Sequence, residues 1–175
     1  DLLKYDPYSI RVFDNNESGL FDLEQDMASE KIRSFIGDIR DKDRLLMAME
    51  GVDIVFHAAA LKHVPLCEFN PFDAVKTNVI GTQNVLDAAF AEGVQKVITI
   101  STDKAVNPSN VMGATKLLAE RLTISANSYR GNKQTVFSCV RFGNVLNSRG
   151  SVVPLFAKQI QNGGPLTVTH PDMRR

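Results

Sequence analysis

The fold is decided by the stretch Ile98-Thr99-Ile100-Ser101-Thr102-Asp103-Lys104, which is followed closely by VMGATK at residues 111–116. Val97 to Ile100 is a short run rich in β-branched residues, a pattern typical of a buried strand. Two hydroxyls, a carboxylate and an amine come directly after it. In open α/β folds ligands bind at the carboxyl ends of the strands, so the sequence predicts a reactive site where this strand ends.

A second lysine belongs to the helix that is predicted over residues 112–129. Lys116 lies four residues after Met112, and residues at i and i+4 share one face of a helix. We therefore expect Met112 and Lys116 to point the same way.

Four further motifs occur along the chain: AAALKHVP at 58–65, KTNVIG at 76–81, RFGNV at 141–145 and SRGSVVP at 148–154. Together with STDK and GATK they resemble the extended short-chain dehydrogenase/reductases. More narrowly, they resemble the UDP-N-acetylglucosamine 4,6-dehydratases of polysaccharide biosynthesis. The order and spacing of the motifs are more specific than any single motif. The usual active-site tyrosine of the superfamily is Met112 here, as it is in some 4,6-dehydratases of this group.

The resemblance implies an α/β fold with a Rossmann-like, doubly wound parallel sheet. The sheet's first strand and its glycine-rich phosphate loop are expected to be missing, because no G-x-x-G-x-x-G motif occurs in the chain. The expected domains are a partial NAD(P)-binding Rossmann domain at 1–150 and the start of a substrate-binding segment at 151–175. Both ends of the chain lack a complete element, which predicts a piece of a longer protein. A long helix is predicted over 71–93 and a last strand over 166–169.

Composition narrows the function class further. The chain is 43% hydrophobic and 23% charged, and its twenty basic residues balance its twenty acidic ones. This balance argues against nucleic acid or a membrane surface as the main partner. No apolar run reaches membrane-spanning length and no signal peptide is visible. Two cysteines, Cys67 and Cys139, fit a reducing cytoplasm, and the three scattered histidines show no metal-ligand spacing.

The resemblance implies NAD as the cofactor, with NADP as the alternative. Asp14 ends a predicted strand, where an acidic residue typically hydrogen-bonds the adenosine ribose and disfavours a 2′-phosphate. The sequence Asp14-Asn15-Asn16 is also typical of a turn. Asp38 is expected beside the adenine, although it would equally suit the cap of the helix predicted at 41–50. The other expected cofactor contacts are Asn15, Ile39, Ala58, Ala59, Ala60 and, at the nicotinamide ribose, Lys116.

The expected substrate is a UDP-sugar. Side chains that suit phosphate and sugar hydroxyls follow the strands predicted at 53–57 and 135–141. The candidate substrate contacts are Lys62, His63, Arg141, Asn144, Arg149 and Val152. Asn78 lies inside the apolar stripe of the long helix, and a buried asparagine must be hydrogen-bonded. We expect it to hold the backbone of the active-site strand or an ordered water.

The resemblance implies removal of water across C5 and C6 of a hexose. Hydride leaves C4 for NAD⁺, the C6 hydroxyl is eliminated, and hydride returns to C6. The expected catalytic positions are Thr102, Asp103, Lys104, Met112 and Lys116. Methionine has no phenolate, so the C4 base is Lys104, Asp103 or a water held by Thr102. Asp103 and Lys104 are expected to divide the acid and base roles at C6 and C5.

Two other functions are weighed against this one. A UDP-sugar C4 epimerase usually needs the tyrosine, so Met112 argues against it. A catalytically inactive domain that binds NAD or a nucleotide sugar would explain Met112, but the retained residues 102–104 and Lys116 argue against it. The family implies a homo-oligomer. A cytoplasmic location is expected, with a membrane anchor on the parent chain as the alternative.

Overall fold

The computed structural model describes residues 1–129, 134–145, 151–168, 170 and 172. The chain divides into two compact units, Asp1–Arg141 and Phe142–Arg175. In the described part of the chain, no helix combines the length and the apolar character that crossing a bilayer requires. The same residues contain no group of three or more histidine, cysteine or acidic side chains placed to share a metal ion.

In the part of the chain that the structure describes, five strands form two sheets. β1 (Ile10–Asp14) pairs in parallel with β2 (Ile32–Ile36). β3 (Ile54–His57) pairs in parallel with β4 (Lys96–Thr102), and β4 also neighbours β5 (Val136–Phe142). Parallel strands joined by helices confirm the Rossmann-like α/β class. Two separate described sheets, β1–β2 and β3–β4–β5, are what a doubly wound sheet without its first strand should show.

Capping side chains mark the starts of the first two α-helices. α1 (Glu17–Met27) starts after Asn16, whose side chain accepts a hydrogen bond from the Gly19 amide. α2 (Lys42–Met49) starts after Asp41, which accepts from the Arg44 amide. The interpretation of Asp38 as the cap of this helix is therefore wrong, because Asp41 fills that position. The other described helices away from the 71–91 run are α3 (Val64–Phe69), α6 (Val111–Tyr129) and α7 (Val152–Gln161).

The helix predicted over 71–93 is helical but not uniformly α. α4 (Pro71–Val75) runs into a π-helical segment (Lys76–Gly81), which runs into α5 (Thr82–Ala91). π-Segments inside helices are rare and occur frequently at functional sites. The extra residue per turn changes which side chains face inward, and Asn78 in this segment is only 1% exposed.

The strand predicted at 166–169 is absent from the described residues 164–168, which have no regular structure. The backbone amide of Thr167 donates to the side-chain oxygen of Gln159 at 3.2 Å, and the Thr167 hydroxyl accepts from the Gln159 amide at 2.8 Å. This segment therefore pairs with a side chain of α7, which explains why it does not extend a sheet.

The main core lies between α2, α5, α6, β4 and β5. Its most completely buried side chains include Leu45, Leu86 and Val97, each exposed by 2% or less. Burying such a side chain contributes roughly 1.5–3 kcal/mol. This core holds β4 and α6 in place, and with them the predicted site residues at their ends.

Candidate active site

The polar turn after β4 forms a compact hydrogen-bonded group. The Thr102 hydroxyl donates to Asp103 Oδ1 at 2.9 Å and accepts from the Lys104 amide at 3.3 Å. Lys104 Nζ donates to the same carboxylate oxygen at 3.2 Å. Three side chains that the sequence placed in catalysis are thus brought into direct contact at the carboxyl end of a parallel strand.

This group fixes the charge of the acidic residue. The hydrogen bond from Thr102 and then the one from Lys104 hold the pKa of Asp103 below its ordinary value. At neutral pH the turn therefore presents a carboxylate beside an ammonium group. Lys104 Nζ donates to the carboxylate across 3.2 Å, so the pair places a proton donor beside a proton acceptor.

Lys116 reaches the same end of β4 from α6. It is 8% exposed, and its Nζ donates to the carbonyl of Ile100 at 2.6 Å. Burial lowers the pKa of Lys116, while the neighbouring charges of Cys139 and Glu120 oppose that shift. The lysine is therefore anchored to the strand that ends in the polar turn.

Gly113 permits this close approach of helix and turn. A Cβ at position 113 would lie 2.3 Å from the carbonyl oxygen of Lys104, which is a backbone atom and has little room to move. Any larger residue would push the start of α6 away from Lys104. Sequence reasoning quoted the glycine as part of a motif but did not assign it this function.

Arg141, a predicted substrate contact, forms an ion pair within the protein. Its guanidinium donates twice to Glu120, with Nε to Oε1 at 2.8 Å and Nη2 to Oε2 at 2.7 Å. Arg141 lowers the pKa of Glu120, and the Ser101 hydroxyl also contributes. Glu120 was not predicted as a site residue from the sequence, although it lies four residues after Lys116 and hence on the same helix face.

Met112 is a buried apolar side chain. It is 4% exposed and packs in a small cluster with Cys67 and Ala74, against which Val64 and Val111 also lie. In the superfamily pattern this position carries the reactive tyrosine. Here it joins the start of α6 to α3 and α4 through apolar contact, and it supplies no ionisable group.

His57 ends β3 in a fully buried setting. Its Nε2 lies 2.9 Å from the Thr82 hydroxyl, and that hydroxyl donates its single proton to the carbonyl of Asn78 at 2.7 Å. His57 Nε2 must therefore carry the proton and donate it to Thr82. Burial, with a smaller contribution from the charge of Lys116, lowers the pKa of His57 to about 4, so the ring is neutral at physiological pH.

Residues 58–63 connect β3 to α3 without regular structure and carry five predicted contacts. Ala58 and Ala59 are exposed, and Ala60 is half-buried. Lys62 and His63 are also at the surface. This strip follows directly after β3, whose last residue pairs with Thr99 of β4. The predicted contacts at residues 58–63 therefore share a sheet edge with the polar turn after β4.

The predicted adenosine contacts lie together at the ends of β1 and β2. Asp14 is exposed and accepts the Asn16 amide at 2.9 Å, so it does form the predicted turn. Asp38 is paired with Arg40, which lowers the pKa of Asp38, and Asn15 adds a further hydrogen bond to it. Ile39 is buried in the core at 6% exposure. A carboxylate has about four acceptor positions, so Asp14 retains capacity for ribose hydroxyls.

The remaining substrate candidates belong to the second unit. Asn144 is exposed. Val152 is 54% exposed and is the first residue of α7. Arg149 lies outside the described residues.

All residues of the chain, 1–175, match the family described as polysaccharide biosynthesis protein. An uncharacterized membrane protein of Methanocaldococcus jannaschii is 72% identical over 99% of the chain and 52% of its own length. A UDP-N-acetylglucosamine 4,6-dehydratase (inverting) of Campylobacter jejuni is 51% identical over 99% and 52%. A UDP-glucose 4-epimerase of Rickettsia canadensis is 49% identical over 95% and 49%.

Solved structures show the same fold. The X-ray structure of Pen from Bacillus thuringiensis superposes with a TM-score of 0.96 at 50% identity, covering 98% of this chain and 54% of that one. The dTDP-glucose 4,6-dehydratase of Streptomyces venezuelae with NAD bound gives 0.79 at 25% identity, covering 94% and 58%. The chain spans about half the length of the curated relatives it matches.

Proposed function

Since the chain belongs to the polysaccharide biosynthesis protein family, a branch of the extended short-chain dehydrogenase/reductases, we propose that it forms the cofactor-binding and catalytic part of an NAD-dependent nucleotide-sugar 4,6-dehydratase. UDP-N-acetylglucosamine is the proposed substrate. The observation that carries the proposal is the hydrogen-bonded Thr102–Asp103–Lys104 group at the end of β4, together with Lys116, which binds the Ile100 carbonyl of the same strand. Lys116 lies on α6, the helix that has Met112 in the position of the usual tyrosine. The whole protein would start from this substrate and yield a UDP-4-keto-6-deoxy sugar.

The residues present fit NAD at its two ends. Asp14 offers an exposed carboxylate for the adenosine ribose, and Ala58 and Ala59 expose small side chains that allow a flat ring to approach the backbone. Lys116 offers a cation for the nicotinamide ribose. Two basic residues near the adenosine end are engaged within the protein: Arg40 pairs with Asp38, and Arg44 donates to the Ile36 carbonyl at 3.0 Å, whereas Asp14 presents an exposed carboxylate that disfavours a 2′-phosphate. This favours NAD over NADP.

NAD, when bound, supplies the transient oxidation at C4 that makes the C5 proton acidic. The chain's own task is proton transfer. The Asp103 carboxylate lies 3.2 Å from Lys104 Nζ, so one member of the pair can take up the C5 proton while the other returns a proton to the departing C6 oxygen as water forms. Thr102 orients the carboxylate at 2.9 Å and is placed to hold a water or the C4 hydroxyl.

The test is mass spectrometry of UDP-N-acetylglucosamine after incubation with the full-length protein and NAD⁺. Dehydration removes one water from the sugar while the nucleotide stays intact. An unchanged sugar that still binds would place the protein among inactive binding domains and contradict the proposal.

A UDP-sugar C4 epimerase is the second candidate, because relatives named UDP-glucose 4-epimerase are 49% identical to this chain. Epimerisation leaves the mass of the sugar unchanged and inverts C4, so the two products are distinguished in one experiment. The apolar packing of Met112 favours the dehydratase, since this position supplies no phenolic base for C4.

A further inference from the structure

The segment between β2 and α2 carries two of the predicted adenosine contacts, Asp38 and Ile39. It forms a tight turn over residues 38–41, in which the Asp41 amide donates to the Asp38 carbonyl at 2.9 Å. The Asp38 carboxylate accepts from the backbone amide and from Nε of Arg40, each at 2.9 Å. This 38–41 turn is therefore braced from within by its own side chains.

A side chain of α5 braces the same turn from outside. Nδ2 of Asn84 donates to the Ile39 carbonyl at 3.0 Å and to the Arg40 carbonyl at 3.2 Å. The Ile39 carbonyl and the Arg40 amide belong to one planar peptide group, so fixing the carbonyl also fixes the amide. Because that amide is a donor to Asp38, Asn84 orients the backbone group on which the Asp38 carboxylate rests.

Close packing brings α5 within reach of the turn. Ile39 is 6% exposed and belongs to the main core. A Cβ at Gly81, the residue before α5, would lie 2.5 Å from Cδ1 of Ile39, so the helical run passes directly against this side chain. Lys42 and Asp87 tie α2 to α5 separately, with Nζ and Oδ2 at 2.8 Å. The two helices therefore have a contact that does not depend on Asn84.

Asn84 differs in its partners from Asn78, the other asparagine of the 71–91 run that is bound to a distant segment. Asn78 binds the amide and the carbonyl of Leu61 and donates to the Thr115 hydroxyl at 3.0 Å. These contacts replace the predicted contact of Asn78 with the active-site strand. Asn84 instead contacts the segment after β2, where the adenosine contacts are predicted.

We propose that Asn84 is a positioning residue for the adenosine half of NAD, which holds the 38–41 turn in its binding conformation and so sets the affinity for that half. The proposal rests on the proposed function in placing adenine at Asp38 and Ile39. Both hydrogens of Nδ2 are donated to turn carbonyls, so Asn84 acts through the turn. A turn that is ordered before the ligand arrives avoids the cost of ordering it on binding.

The chain contains a matched control. Asn127 is half-buried, as Asn84 is, and its Nδ2 likewise donates to two backbone carbonyls, those of Ile124 at 3.2 Å and Phe137 at 2.8 Å. Phe137 lies early in β5, among core residues and outside the proposed site. Asn127→Ala therefore removes an equivalent set of hydrogen bonds without touching the turn.

The experiment compares Asn84→Ala and Asn127→Ala in the full-length, cofactor-free protein, each well below its own unfolding temperature. Calorimetry measures the Kd for NAD⁺ and for AMP, which carries only the adenosine half. We expect both Kd values to rise about fivefold in Asn84→Ala and to stay within about twofold in Asn127→Ala. At saturating NAD⁺, kcat and the KM for UDP-N-acetylglucosamine should stay within about twofold in both variants.

Two results would overturn the proposal. Equal changes in both variants would show that Asn84 contributes stability alone. A higher Kd for NAD⁺ with an unchanged Kd for AMP would place the effect outside the adenosine half. If wild type binds NAD⁺ and AMP but dehydrates no UDP-sugar, the proposed function fails while the two Kd comparisons still test Asn84.

A second variant keeps the test decisive if Asn84→Ala fails to fold. Asn84→Asp keeps the size of the side chain but replaces the donor with an oxygen that faces two carbonyl oxygens. It should weaken AMP binding at least fivefold, whereas Asn127→Asp should bind AMP within about twofold of wild type. Wild-type affinity for AMP in Asn84→Asp would show that the two hydrogen bonds do not set the affinity, and would overturn the proposal.

Discussion

His57 should make the stability of this protein sensitive to acid. The ordinary histidine pKa of 6.5 is lowered to about 4 in the folded state, mainly by burial. A group whose folded pKa is depressed contributes stability that is present above 6.5 and is lost as the pH falls toward 4, because the unfolded chain takes up the proton first. Nε2 of His57 already donates to Thr82, so a second proton must bind the buried Nδ1 and bring a positive charge there.

The magnitude follows from these two values. At about 1.4 kcal/mol for each pH unit between them, lowering the pH from 7 to 4.5 should cost the wild type roughly 2.5 kcal/mol of unfolding free energy through His57 alone. Carboxylates add their own pH dependence, so a variant is needed to isolate this part. His57→Gln keeps a donor for Thr82 but cannot titrate.

The assay is urea denaturation of the full-length protein at both pH values. His57→Gln should lose roughly 2.5 kcal/mol less than wild type over this range, whereas His63→Gln, which changes an exposed histidine, should lose as much as wild type. A His57→Gln variant with the wild-type pH dependence would refute the reasoning that a neutral, buried imidazole sits at the end of β3.

Three further substitutions test the site. Lys104→Ala should abolish turnover while leaving NAD⁺ affinity unchanged by calorimetry, and retained turnover would remove Lys104 from the mechanism. Gly113→Ala places a Cβ 2.3 Å from the Lys104 carbonyl oxygen, so it should displace the start of α6 and lower kcat at least tenfold. A crystal structure of the variant with α6 unmoved would contradict this prediction. Glu120→Gln breaks the bidentate pair with Arg141 and should cost about 1–3 kcal/mol in urea unfolding, and a cost near zero would show that the pair adds nothing.

The positions of β4 and α6 could be predicted from the sequence because their signals are local. A β-branched run ending in polar residues gives the strand, and apolar spacing gives the helix, each to within two residues of the observed bounds. The resemblance that the motifs carry in turn implied that Thr102, Asp103, Lys104 and Lys116 share one site. Glu120 was also within reach of this reasoning, as the next residue on the Lys116 face.

The features of the structure that the sequence did not predict depend on tertiary contacts. The π-segment at Lys76–Gly81 keeps the apolar pattern of an α-helix, and the contacts of Asn78 with Leu61 and Thr115 are set by packing between segments far apart in the chain. Likewise, Arg141 has the residue type of a phosphate ligand, but the neighbouring positions of β5 and α6 give it Glu120 as a partner. Such pairings have no signature in the order of residues.

The central claim is that the sugar loses water by transient oxidation at C4. It is tested most directly with UDP-N-acetylglucosamine that carries deuterium at C4, incubated with the full-length protein and NAD⁺ and followed by NMR and mass spectrometry. The account predicts a dehydrated product that retains the deuterium, now at C6. A sugar of unchanged mass with inverted C4, or a dehydrated product without deuterium at C6, would contradict it.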